Sequence, residues 1–119
     1  YFYPKDDTPG CTKEACSFRD AFADFRKRKI KVLGVSLDSE AKHQKFAQKY
    51  QLPFTLLADT DRSISEAYGA YGQKKFMGRT YMGVLRMTFL IDEKGQIKKI
   101  FEKVKPEAHA REVLDAFSE

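Results

Sequence analysis

The sequence predicts a single α/β domain in which helices cover a mixed or parallel β-sheet. Segments with an apolar period of two alternate along the chain with segments of period near 3.6, as expected when strands and helices follow one another. The 119 residues suit one domain, and 42% hydrophobic residues with ten phenylalanines can fill a core. Neither repeats nor linkers interrupt the pattern, so we expect one domain over residues 1–119.

The chain opens with a strand end, a turn and a helix. Residues 1–3 have the composition of a buried strand, which Pro4 stops. Pro9 and Gly10 then turn the chain into a segment of helical periodicity. Apolar residues spaced by four and three predict a first helix with one face toward the core: Cys11, Ala15, Phe18, Phe22 and Phe25.

The remaining elements continue the alternation. They are predicted as strand 32–37, helix 40–50 with its cap at Asp38 and Ser39, strand 54–57, helix 63–68, exposed loop 70–80, strands 84–91 and 96–102, and helix 106–117. The last two strands are joined by residues 92–95, a hairpin signal with Gly95 at the turn. A sheet covered by helices on its faces is the architecture that this order favours.

The two cysteines are the main chemical signal. Cys11 falls at a predicted helix start, where unpaired N–H groups and the helix dipole stabilise a thiolate. In an intact helix Cys16 lies about 140° around the axis from Cys11 and about 7.5 Å along it. This separation excludes a disulfide between them while the helix is intact. The spacing therefore favours two separate thiols that join only when the first turns unwind. Two cysteines are also too few for a disulfide scaffold, which favours a reducing compartment.

The net charge of +5 comes from 22 basic and 17 acidic residues. The basic residues concentrate at 26–31 and at Lys98, Lys99, Lys103 and Lys105. No aromatic platform or binding motif accompanies them, so we interpret them as solvated surface rather than a nucleic-acid site. No apolar run approaches the roughly 20 residues of a membrane span. We therefore expect neither nucleic acid nor membrane as a partner, and at most mild attraction to acidic proteins.

The residues around Cys11 carry a family resemblance. The pattern Pro4-xxx-Thr8-xx-Cys11 resembles the active-site signature of peroxiredoxins, and Cys16 five positions later is similar to the peroxiredoxin Q group, also called bacterioferritin comigratory protein. The similarity continues through Leu52-Pro53-Phe54, Tyr81-Met82-Gly83 and Arg86-x-Thr88-Phe89-Leu90-Ile91-Asp92. It implies a thioredoxin-like fold with a central mixed sheet flanked by helices. Family members begin some tens of residues earlier, so we expect the sequence to be N-terminally incomplete and to lack its first strands.

The resemblance implies a role for each residue of the signature. Cys11 is the peroxidatic cysteine, which attacks a peroxide and becomes a sulfenic acid. Thr8 lies three residues before it, close enough for its hydroxyl to reach the sulfur or a bound peroxide, and Pro4 shields the thiolate from water. By their surroundings alone, Thr8 would be an ordinary turn residue and Pro4 an ordinary strand end.

Arg86 and Cys16 complete the implied site. An arginine at a strand end is usually a surface charge, but the resemblance assigns to Arg86 the task of stabilising the thiolate and orienting the peroxide; Arg79 is a weaker competitor. Cys16, otherwise an incidental surface thiol, is implied as the resolving cysteine, which forms an intramolecular disulfide with Cys11. An external dithiol of the thioredoxin or glutaredoxin type then reduces that disulfide.

Other polar residues are interpreted more simply. Glu14 is a first-turn acid that favours the helix dipole, and acids are frequent there in the family, where one can help to open the helix. His43 and His109 are single and distant, and with a C-x4-C pair they do not match a zinc ligand pattern. No glycine-rich phosphate loop is present. We expect neither a metal nor an organic cofactor.

The sequence thus predicts a thiol-dependent peroxidase that reduces hydrogen peroxide and small organic hydroperoxides, as a cytoplasmic, bacterial-type monomer. Two alternatives remain open at this point. A thioredoxin-like disulfide oxidoreductase would use C-x-x-C, whose geometry C-x4-C lacks. A non-enzymatic binding module of thioredoxin fold would carry two incidental thiols.

Overall fold

The computed structural model describes residues 1–118, which form five α-helices and six β-strands. In chain order they are α1 (Pro9–Asp20), α2 (Phe22–Lys27), β1 (Leu33–Ser36), α3 (Glu40–Tyr50), β2 (Thr55–Ala58), α4 (Ser63–Ala67), β3 (Tyr71–Phe76), β4 (Arg79–Val84), β5 (Thr88–Ile91), β6 (Ile97–Phe101) and α5 (His109–Phe117). A 3₁₀ turn, Pro106–Ala108, precedes α5. Within this described part, no helix has the length and apolar character needed to cross a membrane.

The segment of residues 1–3 joins two strand pairs. Phe2 forms a parallel bridge with Val35 of β1 and an antiparallel bridge with Met87, next to β5. Its N–H donates to the Met87 carbonyl at 2.8 Å, and the N–H of Tyr3 donates to the Val35 carbonyl at 3.0 Å. Outside this centre, β2 pairs in parallel with β1, and β6 pairs antiparallel with β5. The result is a mixed arrangement in the order β2, β1, residues 1–3, β5, β6.

An aromatic core holds α1 against this arrangement. Phe18 of α1 is 2% exposed and its ring stacks on Tyr1, with centroids 4.7 Å apart. Phe25 and Phe54 lie against it at centroid distances of 5.7 and 6.2 Å. Burying each phenylalanine contributes roughly 1.5–3 kcal/mol. Because Cys11 and Ala15 lie on the same face of α1 as Phe18, this packing also fixes the position of Cys11.

Helix α3 forms as predicted. It runs from Glu40 to Tyr50, and its N-cap Ser39 accepts a hydrogen bond from the N–H of Lys42 at 3.3 Å. The helical spacing predicts an inward stripe of His43, Ala47 and Tyr50 with Phe46 beside it; His43 and Phe46 are buried, and Ala47 and Tyr50 are half-buried. Helix α4 likewise ends before Gly69, whose φ of +70° suits the position after a helix.

The first helix is shorter than the periodicity suggests. Helix α1 ends at Asp20, and α2 starts at Phe22 after Ala21 leaves the helical conformation with φ −96° and ψ 7°. Phe25 remains fully buried beyond this break, whereas Phe22 is only half-buried. The break was not visible in the pattern because the apolar spacing continues across it.

The predicted loop over residues 70–80 is wrong. Strands β3 and β4 form an antiparallel hairpin there, in register from Tyr71 opposite Val84 to Phe76 opposite Arg79. Its turn places Met77 and Gly78 at φ +50° and +80°, as a tight hairpin turn requires. The predicted strand 84–91 is accordingly divided between β4 and β5, and the predicted helix 106–117 begins as the 3₁₀ turn.

Candidate active site

The loop of residues 4–8 delivers the chain to the start of α1. Thr8 occupies the N-cap position in an extended conformation, but its side chain makes no cap hydrogen bond. Instead its hydroxyl donates to the carbonyl of Lys5 at 2.8 Å. Pro9 takes the first helical position, where a missing N–H is harmless. Cys11 follows in the first turn and is 1% exposed.

Arg86 contacts Cys11 across the fold. Its Nη2 donates to the Cys11 Sγ at 3.3 Å, and its Nη1 donates to the Glu14 Oε1 at 2.7 Å. The Arg86 side chain is 23% exposed and that of Glu14 is fully buried. A Cβ added at Gly10 would stand 3.2 Å from Nη2, so the glycine gives the guanidinium room beside α1. One fork of donors thus holds the thiol sulfur and a buried carboxyl together.

The charges of this cluster depend on one another. Burial raises the pKa of Glu14 to about 7, although the charge and hydrogen bond of Arg86 act in the opposite direction. Burial alone would lower the pKa of Arg86, but Cys11 and Glu14 raise it above its usual value. The guanidinium therefore stays positive. Whenever Glu14 is protonated, it no longer offsets this positive charge, which then acts mainly on the Cys11 sulfur.

Glu14 should make the stability of the protein depend on pH. Its folded pKa of about 7 lies above the ordinary value of 4.5, so the folded state holds a proton that the unfolded state has lost between these values. The stabilisation is complete below pH 4.5 and disappears as the pH rises to about 7, by up to about 3 kcal/mol. We expect Glu14→Gln to remove this decline, as measured by urea unfolding at pH 4.5, 6 and 7.5. An unchanged decline in the variant would contradict the assignment.

Cys16 lies on another side of α1. It is half-buried, and both cysteines are free thiols. The helical geometry predicts that Cys16 and Cys11 lie apart, and the structure shows them apart. The next residue, Ser17, accepts a hydrogen bond from the N–H of Ala110 at 3.1 Å, which ties this part of α1 to the start of α5.

A cavity of about 610 Å³ opens beside Arg86. Pro4, the first residue of the signature, lines it together with Lys74 and the apolar side chains of Leu85, Met87 and Val104. The Nζ of Lys74 donates to the carbonyl of Val84 at 2.9 Å, and burial and the charge of Arg86 lower the pKa of Lys74.

Some residues near Cys11 were predicted from the sequence, and others were not. The structure brings Arg86 to Cys11, while Arg79 lies on the exposed hairpin. Thr8 stands at the helix start without a hydrogen bond to Cys11 in the described structure.

Glu14, interpreted as a dipole partner, is instead the buried partner of Arg86. Its spacing of three from Cys11 on a helix was the available signal, because both side chains then face the same neighbour. Lys74 carried no signal, since its segment was predicted as a loop.

Comparison with known proteins relates this geometry to characterised folds. The model of the AhpC/TSA family matches residues 1–100. A putative peroxiredoxin bcp of Coxiella burnetii is 54% identical over 114 residues, which are 96% of this chain and 76% of the relative. Peroxiredoxin Bcp of Bacillus subtilis is 47% identical over 119 residues, covering all of this chain and 76% of its own.

Solved structures give the same result. A structure of the bacterioferritin comigratory protein of Xanthomonas campestris, described for its alkyl peroxide reduction activity, superposes with a TM-score of 0.93 at 39% identity, over 99% of this chain and 75% of that chain. Peroxidoxin BcpB of Mycobacterium tuberculosis has a TM-score of 0.85 at 33% identity, over 98% and 75% of the two chains. These likenesses confirm the predicted thioredoxin-like fold.

Proposed function

The chain belongs to the AhpC/TSA family as a peroxiredoxin of the Q or Bcp group, a thiol-dependent peroxidase, and from this membership we propose that Cys11 attacks the peroxide and Cys16 resolves the product. The membership sets aside the disulfide oxidoreductase and the binding module. The observation that carries the proposal is the Arg86 guanidinium, which donates to the Cys11 sulfur at 3.3 Å while Glu14 holds its other nitrogen.

In the first step, the Cys11 thiolate attacks one oxygen of the peroxide. The S–O bond forms as the O–O bond breaks, and the leaving oxygen takes the electron pair and a proton to depart as water or an alcohol. Cys11 is oxidised to the sulfenic acid and the peroxide is reduced. Arg86 stabilises the thiolate and the negative charge that develops on the leaving oxygen.

Thr8 and Pro4 prepare the same step. Because the Thr8 hydroxyl donates its proton to Lys5, its oxygen lone pairs are left to accept a hydrogen bond from the peroxide O–H. Pro4 lines the cavity beside Arg86, and from its place in the family signature we assign to it the shielding of the thiolate from water. Hydrogen peroxide and small organic hydroperoxides are the substrates that the family membership supports.

In the second step, the Cys16 thiol attacks the Cys11 sulfenic acid. The S–S bond forms, the S–O bond breaks, and the hydroxyl leaves as water with the proton of Cys16. The helix separates the two residues, so the first turns of α1 must unwind. The lack of a side-chain cap at Thr8 supports unwinding from this end, and the Ser17 hydrogen bond retains the other end.

The cycle closes with an external reductant. The family requires a thiol reductant, and we propose a dithiol protein of the thioredoxin or glutaredoxin type, which would attack the Cys16 sulfur of the disulfide by exchange. We propose further that the protein acts as a monomer in the cytoplasm. Its charge of +5 would favour encounter with an acidic reductant.

The proposal is tested by a peptide map with intact mass after one equivalent of hydrogen peroxide on the reduced protein. We expect a Cys11–Cys16 disulfide in the wild type. In Cys16→Ser we expect sulfenic acid on Cys11, captured by a dimedone-type trap. Two unmodified thiols in a folded protein would refute the assignment.

A further inference from the structure

Two neighbouring carboxylates fasten the loop of residues 4–8 to α3. The Asp6 Oδ2 lies 2.6 Å from the Nδ1 of His43, and these side chains are only 6% and 5% exposed. Asp7 binds Lys49 and Tyr50 at 2.8 and 2.7 Å on the surface. The proposed chemistry uses none of these residues, yet their loop ends at the start of the Cys11 helix.

The hydrogen-bond partners of His43 indicate which of its ring nitrogens carry a proton. Its Nε2 lies 3.0 Å from the carbonyl oxygen of Leu57, which can only accept, so Nε2 carries a proton. Its Nδ1 faces Asp6, whose other oxygen accepts a hydrogen bond from the Tyr3 hydroxyl. With the Tyr3 hydroxyl donating to one oxygen of Asp6, we assign the other oxygen as the acceptor for Nδ1, which then carries a proton as well. The arrangement fits an imidazolium paired with a buried carboxylate.

Every element packed on His43 contributes to this environment. Asp6 faces it from the loop of residues 4–8, the ring of Tyr3 from the segment of residues 1–3, Leu57 from β2, and Asp38 from just after β1. Asp38 also accepts the N–H of Asp6 at 2.9 Å. The facing atoms of Asp6, Asp38 and His43 lie within 4.8 Å of one another, but the protein already engages them, so we assign a hydrogen-bond network rather than a cation site. Burial would lower the pKa of His43, but the hydrogen bond and charge of Asp6 raise it above the usual value.

We propose that Asp6 and His43 form an ionic latch that holds residues 4–8, and with them the start of α1, in the peroxide-reactive arrangement. The inference rests on the proposed roles of Cys11 and Cys16. A closed latch favours attack by Cys11, because Pro4 and Thr8 stay in place. An open latch slows that attack and favours the unwinding that Cys16 needs. Asp6 and His43 are thus positioning residues: the closed latch favours oxidation of Cys11, and the open latch favours disulfide formation with Cys16.

The latch should open in alkaline solution. A raised histidine pKa means that the stabilisation is complete below the ordinary value of 6.5 and is lost as the pH rises through the raised value. Rapid-quench mass spectrometry from pH 6 to 9.5 separates Cys11 oxidation by hydrogen peroxide from disulfide formation. We expect Asp6→Asn to oxidise Cys11 about 10- to 100-fold more slowly at pH 7 and to form the disulfide faster. The wild type should approach these rates as the pH rises.

His43→Asn supplies the conservative comparison, because its amide can still donate to Asp6 but does not titrate. The ratio of wild-type to His43→Asn rates cancels the titration of the two thiols that both proteins share, and should show the alkaline transition. The matched control is His109→Asn, which removes the other buried histidine, a partner of Thr88 and Glu112. It should keep the wild-type pH profile of both steps.

Nitrogen NMR of His43 in the wild type avoids any variant that fails to fold. We expect both ring nitrogens to be protonated at pH 7, and a neutral ring would overturn the latch. Wild-type rates and pH profile in Asp6→Asn would also overturn it while leaving the proposed function intact. Failure of the wild type to oxidise Cys11 would instead remove the proposed function and the latch together.

Discussion

Replacement of Cys11 by serine is expected to lower peroxide consumption by about 10⁴-fold or more, because a serine hydroxyl is not ionised at neutral pH and cannot replace the thiolate. Within residues 1–118 the other free thiol, Cys16, lies on another side of α1 and does not replace Cys11 at Arg86. The measurement is the consumption of hydrogen peroxide with a dithiol reductant in excess.

Cys16→Ser is the matched control for this change, since it removes the other thiol of the same helix. It should keep the first turnover, one sulfenic acid on Cys11 per chain, and lose turnover with a protein dithiol as reductant. If Cys11→Ser consumed hydrogen peroxide at more than about 1% of the wild-type rate, the assignment of Cys11 as the nucleophile would be contradicted.

Arg86→Gln is expected to slow Cys11 oxidation by about 10²- to 10³-fold, the usual effect of removing a preorganised donor from a developing negative charge. Glutamine has a neutral amide in place of the guanidinium that lies 3.3 Å from the Cys11 sulfur. The second-order rate constant is best measured in the Cys16→Ser background, where oxidation stops at the sulfenic acid. A rate within about threefold of the parent would exclude Arg86 from the reaction.

Two further variants separate charge from geometry at Arg86. Lysine keeps the positive charge but loses the fork that contacts both Cys11 and Glu14, so Arg86→Lys should have an intermediate rate. Arg86→Gln leaves the buried Glu14 without its partner, which lowers stability as well as activity. In Arg86→Gln with Glu14→Gln, stability should recover while the slow oxidation remains.

The sequence predicts best where local signals agree with the final contacts. Helix α3 has its bounds and cap as predicted, because the cap Ser39 and the apolar stripe that begins at His43 are encoded within twelve residues. The hairpin of β3 and β4 was missed because Phe76, Tyr81 and Met82 are exposed. A hairpin with little buried surface lacks the alternation of apolar and polar residues on which strand prediction depends.

In the site too, features encoded by neighbouring residues were predicted from the residues themselves, and contacts between distant residues were not. The signature predicted where Cys11 and Thr8 stand, because both belong to one local turn. The contact between Arg86 and Cys11 spans 75 residues, so only the family resemblance indicated it. The buried position of Glu14 did not follow from its charge, since an isolated carboxyl is expected at the surface; its helical spacing of three from Cys11 was the available local signal. Its burial is explained by its partner Arg86, 72 residues away.

The break of the helix at Ala21 and the anchor at Ser17 limit what each turnover disturbs. Unwinding from Thr8 to Cys16 exchanges a few backbone hydrogen bonds with water, each contributing about 1 kcal/mol net. Beyond Ser17, the rings of Phe18 and Phe25 remain packed against their neighbours. In the proposed cycle, unwinding that stops at Ser17 would leave the aromatic core covered, and exposed apolar surface is what drives partly unfolded proteins to aggregate. The break and the anchor would thus confine the proposed unwinding to the first turns of α1.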